Sequence, residues 1–183
     1  MRKLTFIFLI VASLSWPVSL YGQGKRGAAE PALNKGLLEL PFIGKNDVIL
    51  VYQEFTLRYN TKRLIPDWVA YKLTAEEVQG EVSRARGFSM DLDYKDRQAM
   101  REDYSNTGWD KGHMAPAADM KWSQSSMYES FYLTNICPQN HDLNGCDWHS
   151  LEKLCRDWQP GMGNLDCLWP LHAYEHVWDN RGE

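Results

Sequence analysis

The sequence predicts an α+β fold, and three observations carry that expectation. Val48 to Tyr59, VILVYQEFTLRY, and Trp68 to Leu73, WVAYKL, are dense in the β-branched, aromatic and aliphatic residues that favour strands. Phe131 to Ile136, FYLTNI, reads as a further, buried strand. In Asp147 to Trp158, residues Trp148, Leu151, Leu154, Cys155 and Trp158 recur at spacings of three and four, the pattern of a helix with one apolar stripe. With 183 residues, 44% hydrophobic and 24% charged, the chain has the size of one domain and the composition of a globular protein.

Taken in order, the chain begins with Arg2 and Lys3, then an apolar run from Leu4 to Leu20 broken by Ser13, Ser15 and Pro17, then Gly22-Gln23-Gly24. This pattern predicts a signal peptide over residues 1–22, a linker over 23–38 and a secreted or periplasmic protein. The run is too short and broken for a membrane span, so no stable membrane association is expected once the signal is removed. An oxidising compartment permits disulfides, and Cys137, Cys146, Cys155 and Cys167 allow three full pairings.

The first two strand-like runs are separated by a break containing Asn60 and Pro66, which predicts two strands joined by a loop. Thr74 is placed to cap a short helix, and Glu76-Glu77 suit its positive end. Charged residues then dominate to Asp103, which reads as surface, and Ser123 to Ser130 reads as a short helix or turn. The five tryptophans Trp68, Trp109, Trp122, Trp148 and Trp158 are expected in the core or at interfaces.

Chemistry concentrates in two stretches, Trp109 to Met120 (WDKGHMAPAADM) and Asn135 to Glu152 (NICPQNHDLNGCDWHSLE). In the first, an acid, a cation and an imidazole surround Gly112, whose missing Cβ permits close approach. A histidine takes a proton from water near neutral pH, and amide or carboxylate oxygens such as those of Asn144 and Glu152 suit a hard cation. Asn144 lies just before the predicted helix and Glu152 on it, two turns apart. A strand carrying His113 across from that helix would unite imidazole, amide and carboxylate.

These two stretches resemble the DNA/RNA non-specific endonuclease family of the ββα-metal (His-Me finger) superfamily. The family's Asp-Arg-Gly-His reads Asp110-Lys111-Gly112-His113, and its second block reads Asn135, Pro138-Gln139, Leu143-Asn144, Trp148 and Leu151-Glu152. The resemblance implies a ββα-metal core with a mostly antiparallel sheet over residues 39–160. It also implies metal-dependent hydrolysis of phosphodiester bonds, with DNA and RNA as substrates and Mg²⁺ as cofactor, Mn²⁺ being a substitute. On this reading His113 is the general base, Asn144 the metal ligand, Glu152 an acid acting near the metal's waters, and Asn135 a further catalytic residue that holds the site. Lys111 stands where the family has arginine, keeping the charge but not the planar fork. Lys111 and Arg101 are the expected substrate contacts, Arg101 standing in for the family's upstream arginine.

A net charge of −4 means that no overall field draws a polyanion to the chain. A local basic surface must do so, and Arg84, Arg86, Lys95, Arg97, Arg101 and Lys111 are the residues available. A rival reading is a secreted zinc-binding module made by Cys137, His141, Cys146 and His149. Another is an inactive remnant, because residues 161–183 depart from the family pattern and its C-terminal strands are expected to be missing. A one-base frameshift near Gly163 to Leu165 would explain the departure, since reading Trp169-Pro170 one base later forces a glycine; resequencing the coding DNA tests this.

Overall fold

A computed structural model describes residues 40–41, 43–162 and 165–170. The predicted signal peptide and linker, residues 163–164 and residues 171–183 lie outside the described residues. The elements are β1 (Val48–Val51), β2 (Phe55–Asn60), β3 (Ile65–Leu73), α1 (Ala75–Val78), β4 (Asp110–His113), α2 (Gln124–Ser130), β5 (Ile136–Gln139), α3 (His149–Met162) and β6 (Leu165–Pro170). Strands β1-β2-β3-β6 form an antiparallel sheet in that order, and β4 pairs antiparallel with β5.

The long apolar run from Val48 is two strands rather than one. The Tyr52 N–H donates to the Phe55 carbonyl at 2.9 Å, and the chain reverses over the polar pair Gln53-Glu54. Strand propensity does not register a reversal, so the expected pair of strands is a three-stranded meander. In β2, Phe55, Leu57 and Tyr59 are buried while the residues between them are partly exposed, the alternation of a strand with one covered face. In β3, Trp68 to Tyr71 are buried without a break, because β3 lies between β2 and β6 with both faces covered.

Thr74 and Glu77 form the capping box of α1. The Thr74 N–H donates to Glu77 Oε2 at 2.7 Å, and Thr74 Oγ1 accepts from the Glu77 N–H at 3.4 Å. The helix stops after one turn, and Gly80 lies against the Lys121–Trp122 backbone, where a Cβ would come within 2.2 Å of the Trp122 nitrogen. The segment from 79 to 100 contains no helix or strand, yet it is not all surface as its charge suggests. Asp91, Tyr94, Gln98 and Ala99 are buried. The Tyr52 hydroxyl donates to Asp91 Oδ2 at 2.8 Å, and Gln98 brackets Asp91 through its backbone N–H and carbonyl, both at 2.8 Å. Side-chain amide and carboxylate here replace a strand ladder as the partners of buried backbone.

FYLTNI is largely not a strand. Leu133–Asn135 is a 3₁₀ turn and β5 begins at Ile136, because the Asn135 N–H returns to the Tyr132 carbonyl at 2.9 Å. Ser123 caps α2 by accepting from the Ser126 N–H. The helix read from Asp147 is π-helical over Leu143–Trp148 and continues as α3. Its apolar stripe faces the core only in part: Trp148 and Cys155 pack against it, but Leu151, Leu154 and Trp158 are 41%, 39% and 52% exposed. Beside Trp148 and Cys155, the inward side carries Glu152, Arg156 and Gln159. Two of these polar groups have buried partners: Arg156 pairs with Asp119 at 2.6 Å, and Gln159 Nε2 reaches the Leu73 carbonyl at 3.4 Å. Of the five tryptophans, Trp68 is buried and Trp109 and Trp148 are partly so; Trp122 and Trp158 are exposed, contrary to expectation.

The missing C-terminal strand is also corrected. β6 pairs with β3 from Leu73↔Leu165 to Trp68↔Pro170. Trp169 stacks obliquely on Trp148 at 5.0 Å, and its Nε1–H donates to the Tyr71 hydroxyl at 3.0 Å. Alternation buries Cys167 and Trp169 against the main core, so LDCLWP serves as a strand.

Candidate active site

His113 ends β4, one residue beyond Gly112. A Cβ on Gly112 would lie 2.1 Å from the Gln139 side chain across the hairpin, so glycine is what lets β4 and β5 close at this point. The His113 ring is 8% exposed, edge-on to Phe131 at 4.7 Å and tilted against Phe88 at 5.4 Å. Its Nε2 is buried with no hydrogen-bond partner among the described residues. Burial, aided by the nearby Arg84 guanidinium, pushes the imidazole down to about 3, so it is neutral at physiological pH.

Asn135 fixes the backbone that follows. Its amide donates to the carbonyls of Ala115 at 3.0 Å and Ser130 at 2.9 Å, and its oxygen accepts from the Ala115 N–H at 2.9 Å. Fully buried and committed at both ends, Asn135 positions the loop after His113 and does not line the cleft. The cleft, about 230 Å³, is lined by His113 and Pro116 to Ala118 on one side and by Asn144, His149 and Glu152 on the other, with Arg84 contributing from the irregular segment.

Asn144 and Glu152 therefore meet His113 as the sequence predicts. Asn144 Nδ2 donates to Asp110 Oδ2 at 3.0 Å, and the same oxygen bonds His141 Nδ1 at 2.9 Å. With its NH₂ committed to Asp110, Asn144 has its amide oxygen left for another partner. The Asn144 bond, ahead of His141, holds the Asp110 carboxyl below its usual range. Glu152 is pushed up to about 7, first by burial and then by the Asp119 carboxylate, with Arg156 and Arg84 opposing. Asp119 is itself buried, accepting from Tyr71 at 2.5 Å and from Arg156 at 2.6 Å.

Two predicted residues are not in the cleft. Arg101 donates through Nε to the Phe88 carbonyl at 2.5 Å on the surface, and Lys111 lies over the Tyr104 ring at 5.6 Å. The arginine in the cleft is Arg84, whose guanidinium sits 5.0 Å from the Phe131 ring. Sequence offered Arg84 only as one of six basic residues, because no periodic pattern locates an irregular segment. His149 was read only as a zinc ligand, and Asp110 only as part of the motif.

The zinc-binding cluster is not assembled. Cys137 is fully buried in the core, its thiol pushed up to about 12 by burial, whereas Cys146 is exposed and His141 bonds Asp110. Among the described residues no group of three or more His, Cys, Asp or Glu side chains is arranged to hold a metal. Cys137, Cys146 and Cys155 carry free thiols, so none of the three full disulfide pairings forms.

The sequence model of the DNA/RNA non-specific endonucleases matches residues 34–167. The chain belongs to that family. Its α+β architecture is that of a ββα-metal nuclease. Within the DNA/RNA non-specific endonucleases, "Nuclease EXOG, mitochondrial" of Danio rerio is 41% identical over 108 residues, covering 58% of this chain and 32% of that protein. The human protein of the same name is 33% identical over 141 residues, covering 76% and 38%. A chain from the crystal structure of the EndoG/EndoGI complex superposes with a TM-score of 0.67 at 28% identity, covering 77% of this chain and 59% of that one. This chain spans about a third of the length of the curated relatives it matches. The expectation of a secreted or periplasmic protein is overturned: relatives from zebrafish, human and yeast alike are named as mitochondrial nucleases.

Proposed function

We propose that this chain hydrolyses phosphodiester bonds of DNA and RNA with the help of one divalent cation, Mg²⁺ or in its place Mn²⁺. The observation that carries the reading is a neutral, buried imidazole with an unpartnered Nε2 beside a cleft that also holds an arginine, an amide and a carboxylate. The donor set fits a hard cation: Asn144 has an uncommitted amide oxygen, Glu152 adds carboxylate oxygens, and no thiolate enters the cleft. Asn144 is the residue that would hold the ion, with Asp110 fixing its orientation. When bound, such an ion polarises the phosphate and stabilises charge on the leaving oxygen.

His113 Nε2 takes a proton from the attacking water. Its low proton affinity rises as phosphate, an anion, settles beside it and screens Arg84. Arg84 faces the non-bridging oxygens, where negative charge grows in the transition state. Glu152, titrating near neutral pH, holds water and exchanges protons at the helix wall. Asn135 acts through the backbone after His113. Lys111 and Arg101 serve the nucleic acid outside the cleft, where point charges suffice for phosphates along the strand.

Purified chain should nick plasmid DNA and degrade RNA with Mg²⁺ and stop with EDTA, and His113→Ala should lose about 10²- to 10⁴-fold in rate. Cleavage surviving undiminished in His113→Ala would remove the proposal.

A further inference from the structure

His149 is the cleft residue that the proposed mechanism leaves unused. It is exposed, it opens α3, and it lies one turn before Glu152, so both project from the same side of the helix into the cleft. Among the described residues its imidazole makes no hydrogen bond or ion pair, whereas Asn144 is tied to Asp110 and Arg84 rests on Phe131. The titratable and charged groups that share its cleft are His113 from β4, Arg84 from the irregular segment and Glu152 from its own helix.

Displacement at phosphorus places the attacking and leaving oxygens in line on opposite sides. His113 enters from the strand wall and His149 from the helix wall. A sugar alkoxide leaves poorly without a proton, and imidazole is the side chain best suited to donate one between pH 5 and 8. We propose that His149 is a second catalytic residue, the general acid that protonates the leaving sugar oxygen. This rests on the hydrolase reading above. The water oxygen forms its bond to phosphorus as its proton passes to His113 Nε2. The bond from phosphorus to the leaving oxygen breaks, its electron pair stays on that oxygen, and the oxygen takes the proton of His149. Exchange with solvent returns both imidazoles to their starting forms.

The test compares DNA with thymidine 5′-(p-nitrophenyl phosphate), whose nitrophenolate departs without needing a proton. His149→Ala should cut DNA about 10²-fold more slowly through kcat. Most of that deficit should vanish on the nitrophenyl ester, and added imidazole should restore DNA cleavage. His149→Gln, which keeps an amide of similar size, gives the same comparison should the alanine variant melt early. An equal loss on both substrates, or no loss on DNA, overturns the assignment. If His113→Ala retains full cleavage, the hydrolase reading itself has failed, whatever His149 does.

Discussion

The two walls of the cleft reach a similar electrostatic state by different means. On the strand wall, Phe88 and Phe131 dry the His113 ring, and burial alone does most of the work of holding it neutral. On the helix wall burial is again the largest cause, but Glu152 also sits among charges, with Asp119 raising its proton affinity and Arg156 and Arg84 lowering it. Both titratable groups are driven toward their uncharged forms, which leaves Arg84 as the dominant charge among the residues lining the cleft. An acidic chain can thus offer phosphate a locally positive site. The difference teaches that the strand wall is set almost wholly by packing and the helix wall by packing and charge pairing together, so the two should fail in different ways.

The largest break is expected on the helix wall. Asp119 is fully buried and pairs with Arg156, whose side chain is 14% exposed. Asp119→Ala should destabilise the fold by about 3–5 kcal/mol, because it strands the guanidinium and the Tyr71 hydroxyl; urea unfolding measures this.

Next in size, the walls should show opposite pH dependence. His113 falls from 6.5 to about 3 on folding, so its contribution to stability is full above pH 6.5 and is lost as pH drops toward 3. Glu152 rises from 4.5 to about 7, so its contribution is full below pH 4.5 and is lost as pH climbs through 7. Stability difference curves against the parent chain should slope one way for His113→Gln and the other for Glu152→Gln, each spanning on the order of 3–5 kcal/mol. Parallel slopes would contradict the assignment of the two walls.

Asp110→Ala should weaken binding of Mn²⁺ by about 10- to 100-fold, since it releases the Asn144 amide; electron paramagnetic resonance of free Mn²⁺ reads this without any turnover. Smallest of all, Leu154→Lys on the outer face of α3 should shift stability by no more than about 0.5 kcal/mol. A large loss in a thermal melt would mean that this face is packed after all.

How much of this could be read in advance follows the same division. Alternation and propensity located β2 and β3, and the Asp110 to His113 and Asn135 to Glu152 stretches brought His113, Asn144 and Glu152 to one cleft. Those signals are local in sequence. Arg84 was out of reach because side-chain bonds such as those of Asp91 and Gln98 shape its segment, and these have no period. α3 was read correctly in part: Trp148 and Cys155 of its stripe pack on the core and Glu152 lines the cleft, but a helix that forms the wall of a polar site also turns Arg156 in, and Leu151, Leu154 and Trp158 out. β6 was discounted for lacking a family pattern, although Cys167 and Trp169 alternate as any covered strand requires. Asn135 was read as a residue that holds the site, and its bonds to the Ala115 and Ser130 carbonyls are those of a brace beneath the cleft.

The bond from Trp169 to Tyr71 has a consequence for biosynthesis. Tyr71 contacts Asp119, and Asp119 holds the helix that carries Glu152, so Trp169 joins a network begun nearly a hundred residues earlier in the chain. While the chain grows from its N-terminus, the meander of β1, β2 and β3 can form, but its third strand keeps an open edge and Tyr71 lacks its indole donor. The nascent chain must therefore wait for its last described strand before the cleft acquires its full support.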